Sequence, residues 1–192
     1  MNESDSGYPD GFFERGDPVS DAIFYLPPRL VTHIDNAAIL AVSQLYSHLG
    51  IDGSCGNHWR VLDLMSSWVS HLLTAPDELV VLGMNASELA ANAMATERIV
   101  QDLNTDPVLP FAEASFDAVL CCVSIDYLVQ PVAVLREAAR VLRPGGQIVI
   151  TFSNRCFPTK AIRGWLETDD EGRGAIVIDY LRRAGGFDEA HL

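Results

Sequence analysis

Asp63 and Asp102 stand 39 positions apart in a chain of 192 residues, and each follows a short apolar run. In "VLDL" (61–64) and "RIVQDL" (98–103) the carboxylate comes where a buried strand would end. A carboxylate there can accept hydrogen bonds from the hydroxyl or amino groups of a ligand lying across the strand ends. The same reading singles out Asn85 after "LVVLGM" (79–84), Ser124 to Tyr127 after "FDAVLCCVS", and Ser153 to Arg155 after "QIVITFS". Each acid alone has a second explanation, because an aspartate after a strand also forms Asx turns or caps the next helix.

The turn after Asp63 narrows the ligand. Its sequence is Met65-Ser66-Ser67-Trp68, with no glycine. A dinucleotide needs glycine there, since its pyrophosphate must approach the backbone at a helix N-terminus. A ligand without phosphate makes no such demand. Its carboxylate could be met by backbone N–H groups and by the hydroxyls of Ser66 and Ser67. Trp68 either walls the crevice or fills a core.

These residues need a frame, and the chain supplies one by alternation. Apolar positions at Val31, Ile34, Ala37, Ala38, Ala41, Leu45 and Leu49 predict a leading helix within 28–50. Strand 59–65 and a short helix near 67–73 follow. Next come strand 79–84, a helix capped by Ser87 and running to about Thr96, and strands 98–103 and 116–124. A helix from Pro131 stops at Pro144-Gly145-Gly146, before strand 147–153 and a last helix over 174–184. This order predicts a doubly wound α/β domain over 22–192, with a mainly parallel sheet and helices on both faces. Residues 1–21 carry six acids and one arginine and are expected to form a flexible arm.

Composition limits the partners. The net charge of −13 repels phosphate backbones, so no nucleic-acid partner is expected. The four cysteines have no metal-ligand spacing, and no metal is expected; reduced thiols point to a cytoplasmic protein. The acidic N-terminus has no apolar signal core and no run reaches membrane-span length, so no membrane association is expected.

Two segments then carry a resemblance: "VQDLNTDPVLPFAEASFDAVLCC" and "LREAARVLRPGGQIVITFSN". The acid Asp102, the turn Leu109-Pro110-Phe111, the opening Ser115-Phe116-Asp117 and the run Arg140 to Gly146 resemble the class I, Rossmann-like S-adenosylmethionine-dependent methyltransferases. The likeness covers roughly 59–187. It implies S-adenosyl-L-methionine as cofactor, with Asp102 on the adenine amino group and Leu103 beside the ring. It places Asp63 near the methionine amino end. Many members have an acid binding both ribose hydroxyls where this chain has Asn85, which accepts only through its amide oxygen. Upstream, Tyr25, Arg29 and His33 fall near helical spacing; Arg29 can pair with the cofactor carboxylate or simply lie on the surface.

Methyl transfer is chiefly alignment of donor and acceptor, with a base needed only where the acceptor must lose a proton. His33 and Asp126 are the candidate bases; Tyr127, Asn154 and Arg155 are candidates to orient a small-molecule or protein acceptor. The altered first turn and Asn85 keep a second reading open, a homologue that binds S-adenosylmethionine or S-adenosylhomocysteine without turnover. A nicotinamide-dependent oxidoreductase is a third, lacking its glycines. Members of the family usually add two strands after the turn matched here by "AGGF" (184–187). Their absence predicts strand 147–153 as a sheet edge, in a shortened chain or one covered by self-association.

Overall fold

The computed structural model describes residues 7–56 and 58–192; the first six residues of the expected arm, and Asn57 of the loop before the first strand, lie outside the described residues. Five parallel strands form one sheet: β1 (Arg60–Leu64), β2 (Glu78–Gly83), β3 (Glu97–Val100), β4 (Phe116–Cys122) and β5 (Leu142–Thr151). Their order is β3-β2-β1-β4-β5. β1 and β4 are therefore adjacent while β2 and β3 run outward from β1, so strand order reverses beside β1, the place where such sheets open a crevice.

The central strands β1, β2 and β4 are mainly apolar because both faces are covered. Leu62, Leu64, Val80, Leu82, Val119 and Cys121 share one core with α4 (Pro131–Val141) and α6 (Asp170–Ala184). The alternate residues Val61, Leu79, Val81, Ala118 and Leu120 pack with Tyr46 of α2 (Asn36–His48) and Leu89 of α3 (Ala86–Ala91). Two short helices, α1 (Asp21–Phe24) and α5 (Arg163–Leu166), complete the set. No helix among the described residues is long and apolar enough to cross a membrane.

Several boundaries depart from expectation for local reasons. α2 starts at Asn36, where the Asp35 side chain accepts from the Ala38 N–H; residues 25–35, which follow or contain Pro27 and Pro28, are irregular. The cap of α3 is Asn85 rather than Ser87, and the helix stops at Ala91. Arg98 there donates to the carbonyls of Leu89 and Asn92, at 2.8 Å each. No helix forms over 67–73. Met65 and His71 take left-handed backbone (φ 53 and 54), and between them the Ser66 hydroxyl bonds Asp63 and the Ser67 hydroxyl bonds Glu88. β3 ends at Val100, so Asp102 sits in the following loop. α4 gives way to β5 at Leu142, before the Pro-Gly-Gly turn, and β5 is irregular opposite Phe116 and Ala118. α6 begins four residues early, capped by Asp169.

The described part of the expected arm, residues 7–20, is packed rather than loose. Tyr8, Phe12 and Phe13 lie against the α4/α6 core. The Gly164 and Arg163 amides donate to the carbonyls of Phe12 and Glu14, at 2.9 and 2.8 Å. A buried ionic cluster secures the end of this stretch. Lys160, with 0% exposure, pairs with Asp21 (3.2 Å) and Asp17 (3.3 Å) and donates to the Val19 carbonyl. Arg15 meets both oxygens of Asp21, and Asn104 donates to one of them at 3.0 Å. Burial raises the Asp21 pKa, but the bonds from Arg15 and Asn104 and the neighbouring cations outweigh it, so the carboxyl is held below its usual range. Removing one member strands the others' charge in a dry interior. Lys160→Ala is thus expected to lower unfolding free energy by about 3–5 kcal/mol, read from urea denaturation. An unchanged midpoint would show that the cluster contributes nothing.

Candidate active site

One cavity lies at the carboxyl ends of β1, β2, β3 and β4, under a roof made by residues 21–34 and by Arg155, Cys156 and Phe157. Of the residues singled out in the sequence, Tyr25, Arg29, His33, Asp63, Ser66, Ser67, Asn85, Asp102, Leu103, Tyr127 and Arg155 all line it. Asp126 and Asn154 do not. Asp126 is 3% exposed and turned into the interior. Burial pushes its carboxyl up to about 7, against the opposing bond from its own backbone and the charge of Arg173. It cannot reach an acceptor in the cavity, so it is withdrawn as a base. Asn154 is exposed outside the cavity. Arg155 reaches Asp35 across the rim at 3.7 Å, and the Tyr127 hydroxyl accepts from the Phe157 N–H at 2.8 Å.

The glycine-free turn still has the geometry of a glycine turn. Met65 holds φ 53, a left-handed conformation that costs a residue with a Cβ about 1–2 kcal/mol. His71 and Val123 are strained in the same way at φ 54 and 47, and both also line the cavity. Such strain persists only where surrounding packing enforces it, and it gathers at functional sites. The close backbone approach is supplied from the neighbouring strand: a Cβ on Gly83 would collide with the Ser66 carbonyl oxygen.

The serine hydroxyls do not stand in for the glycines. Ser66 donates to Asp63 at 2.7 Å and Ser67 to Glu88 at 2.6 Å. Each has committed its proton, so neither can donate to a ligand carboxylate. Asp63 is 3% exposed, and burial raises it to about 6 despite the hydroxyls of Ser66 and Ser70. Asn85 is also fully occupied. Its amide oxygen accepts from the Ser87 and Glu88 amides at 2.9 and 3.1 Å; its nitrogen donates to the Tyr25 and Leu26 carbonyls at 2.8 and 3.1 Å. Asp102 receives the Asn104 N–H (2.9 Å) and the Thr105 hydroxyl (2.8 Å), an Asx arrangement that fixes it at the cavity edge.

The roof is tied down at three points: by Asn85, by Glu88, which accepts from the Arg29 N–H at 2.7 Å, and by the Trp68 indole, which donates to the Val31 carbonyl at 3.1 Å. Trp68 thus walls the cavity. The Arg29 guanidinium lies over the rings of Phe24 (4.6 Å), Phe157 (5.5 Å) and Tyr25 (5.8 Å) and donates to the Phe24 carbonyl. Its Nη1 is buried without a hydrogen-bond partner. His33 is exposed at the cavity rim beside Phe157, and the desolvation it does experience lowers its pKa; Glu88 opposes this and Arg29 adds to it. The sequence reading missed Glu88, His71, Asn104 and Phe157 as cavity residues. Only Glu88 had a local signal, its place three residues after a strand-end polar residue.

Comparison with known proteins gives a consistent picture. A family model described as a methyltransferase domain matches residues 64–150. The 27-O-demethylrifamycin SV methyltransferase of Amycolatopsis mediterranei is 37% identical over 155 residues, 70% of this chain and 52% of that protein. The chain spans about half the length, or less, of the curated relatives it matches. Among solved structures, an S-adenosylmethionine-dependent methyltransferase of Thermotoga maritima superimposes with a TM-score of 0.55 at 16% identity, over 79% of this chain and 72% of that one. The [4+2]-cyclase SpnF superimposes at 0.53 and 16% identity, over 81% and 61%. At these identities the superpositions speak for the fold.

Two outcomes follow from the turn. Met65→Gly should be more stable than Met65→Ala by about 1 kcal/mol, because both lose the side chain and only glycine relieves the left-handed backbone; equal stabilities would contradict the strain. For Asp63, the folded pKa near 6 lies above the ordinary 3.8, so the folded state binds its proton more tightly. Its contribution to stability therefore falls as pH rises from about 4 to 6, by roughly 3 kcal/mol in all. Asp63→Asn should gain on the wild type by about that amount between pH 4 and pH 7 in urea unfolding. A gap independent of pH would show that Asp63 is not buried as described.

Proposed function

We propose that the chain is a class I S-adenosylmethionine-dependent methyltransferase, a reading supported by the methyltransferase-domain match and the methyltransferase relatives, and that it transfers the methyl group to a hydroxyl of a small molecule. One observation carries the cofactor assignment: the same cavity holds a buried carboxylate, Asp63, and a buried guanidinium nitrogen without a partner, Arg29 Nη1. The amino-acid end of S-adenosylmethionine carries one ammonium and one carboxylate, which is the complement of that pair. Binding the ammonium favours ionised Asp63; binding the carboxylate satisfies the Arg29 nitrogen. Asp102 and Leu103 then face the adenine end, and Tyr25 closes the roof. The cofactor supplies an activated methyl on a sulfonium, so the protein's part is alignment and proton management.

His33 is the proton acceptor in this reading. Its lowered pKa keeps the imidazole neutral at neutral pH, able to take a hydroxyl proton. Tyr127 and Phe157 give the acceptor an aromatic wall, and Arg155 stands at the mouth. The hydroxyl acceptor agrees with the name of the Amycolatopsis relative, an O-methylating enzyme by its title. A protein side chain is the other acceptor class compatible with the cavity. The described cysteines Cys121, Cys122 and Cys156 are free thiols, which supports a reducing, cytoplasmic setting. β5 pairs only with β4 among the described strands, and self-association along 147–153 would cover its outer edge.

Calorimetric titration with S-adenosylmethionine and S-adenosylhomocysteine tests the assignment. Saturable binding is expected, weakened about 10-fold or more in Arg29→Gln by the lost charged hydrogen bond. Methyl transfer to a hydroxylated acceptor should fall about 100-fold or more in His33→Ala with cofactor affinity kept. Its acidic limb should lie below the ordinary histidine value of 6.5. No binding at millimolar ligand would end this reading.

A further inference from the structure

The ribose of a nucleoside ligand presents two adjacent hydroxyls, and a carboxylate with open lone pairs is the acceptor best matched to them. The strand-end position that should provide it is filled by Asn85, whose amide has spent both nitrogen protons and both oxygen lone pairs on the α3 cap and the roof. The other acids lining the cavity stand elsewhere or already have a part in the reading above. Asp21 is neutralised by Arg15 and Lys160, with Asn104 on the same carboxylate. Asp63 is buried under Ser66 and Ser70. Asp102 also accepts one hydrogen bond on each oxygen, but it stands in the loop after β3 and is given to the adenine end in the reading above.

Glu88 is different. It stands one helical turn after Asn85 and lines the same cavity between the β1 turn and the roof. Its Oε1 accepts one hydrogen bond, from the Arg29 amide, and its Oε2 accepts one, from the Ser67 hydroxyl, at 2.7 and 2.6 Å. Each carboxylate oxygen can accept two, so one position on each remains. The two anchors hold the carboxylate in one orientation before any ligand arrives, which lowers the ordering cost of binding.

We propose that Glu88 has taken over the ribose-binding task from position 85, accepting the two ribose hydroxyls of the nucleoside ligand and selecting ribose over deoxyribose. This rests on the cofactor reading above. It also accounts for the serine in the first turn: Ser67 aims the carboxylate rather than touching ligand, a positioning role.

The test is a pair of calorimetric titrations, with S-adenosylhomocysteine and with its 2′,3′-dideoxy analogue. The wild type should prefer the ribose ligand by about 10-fold or more, the scale of one charged hydrogen bond. In Glu88→Gln, which keeps the side-chain length and an acceptor for Arg29, that preference should collapse to about 3-fold or less. Glu88→Asp, retracted by one methylene, should lose it too. Ser67→Ala, which removes an anchor but keeps the carboxylate, should retain most of it; melting temperatures establish that each variant is folded. If the Gln variant weakens both ligands equally and keeps the preference, Glu88 is a roof tie only and the proposal is wrong. If the wild type binds the dideoxy ligand as well as the ribose one, the proposal fails while the cofactor reading stands. If it binds neither, both fall.

Discussion

A single buried carboxylate, Asp21, sets the shape of everything above the sheet. Arg15, Lys160 and Asn104 converge on it from the N-terminal stretch, from the segment after β5 and from the loop after β3. A carboxylate enclosed this way has no low-energy alternative position, because moving it would leave Arg15 without its carboxylate and Lys160 with Asp17 alone. The three chain segments are locked at one point, and the roof departs from there across the strand ends. Asn85, Glu88 and Trp68 then need only a few hydrogen bonds to fix its far side.

The cost of this roof is visible in the residues it has recruited. Asn85 and Ser67, at positions that would otherwise face a ligand directly, spend their polar groups on protein. Met65, His71 and Val123 are held in left-handed backbone around the same cavity. Stability is given up locally where the cavity needs a particular wall, and the buried apolar cores on both sheet faces supply it elsewhere.

The sheet was legible because its information is local. Fully buried parallel strands read as apolar runs, and Asp63 and Asp102 fall after them whatever the tertiary details. α4 was equally plain from Val134, Leu135, Ala138 and Val141 at helical spacing. What could not be read was the roof. Its bonds join residues 37 to 60 positions apart, side chain to backbone in the cases of Trp68 with Val31, Asn85 with Tyr25 and Glu88 with Arg29, and backbone partners leave no trace in sequence. The helix expected at 67–73 failed for a related reason: Ser66, Ser67 and Ser70 find partners on Asp63, Glu88 and Asn92 that a helix would have denied them. The N-terminal stretch reads as acidic and loose until Lys160 and Arg15 are seen to neutralise it.

In the reading proposed above, the covered space at the ends of β1, β2 and β3 is a preformed nucleoside site under a fixed roof. Amide hydrogen exchange, with and without S-adenosylhomocysteine, addresses both halves at once. The Arg29 amide, bonded to Glu88, is expected to be protected already without ligand. Ligand is expected to slow exchange across residues 63–68, 83–88 and 101–104, with little change in α4 and α6. Free exchange at Arg29 in the absence of ligand, or ligand protection confined to other segments, would contradict it.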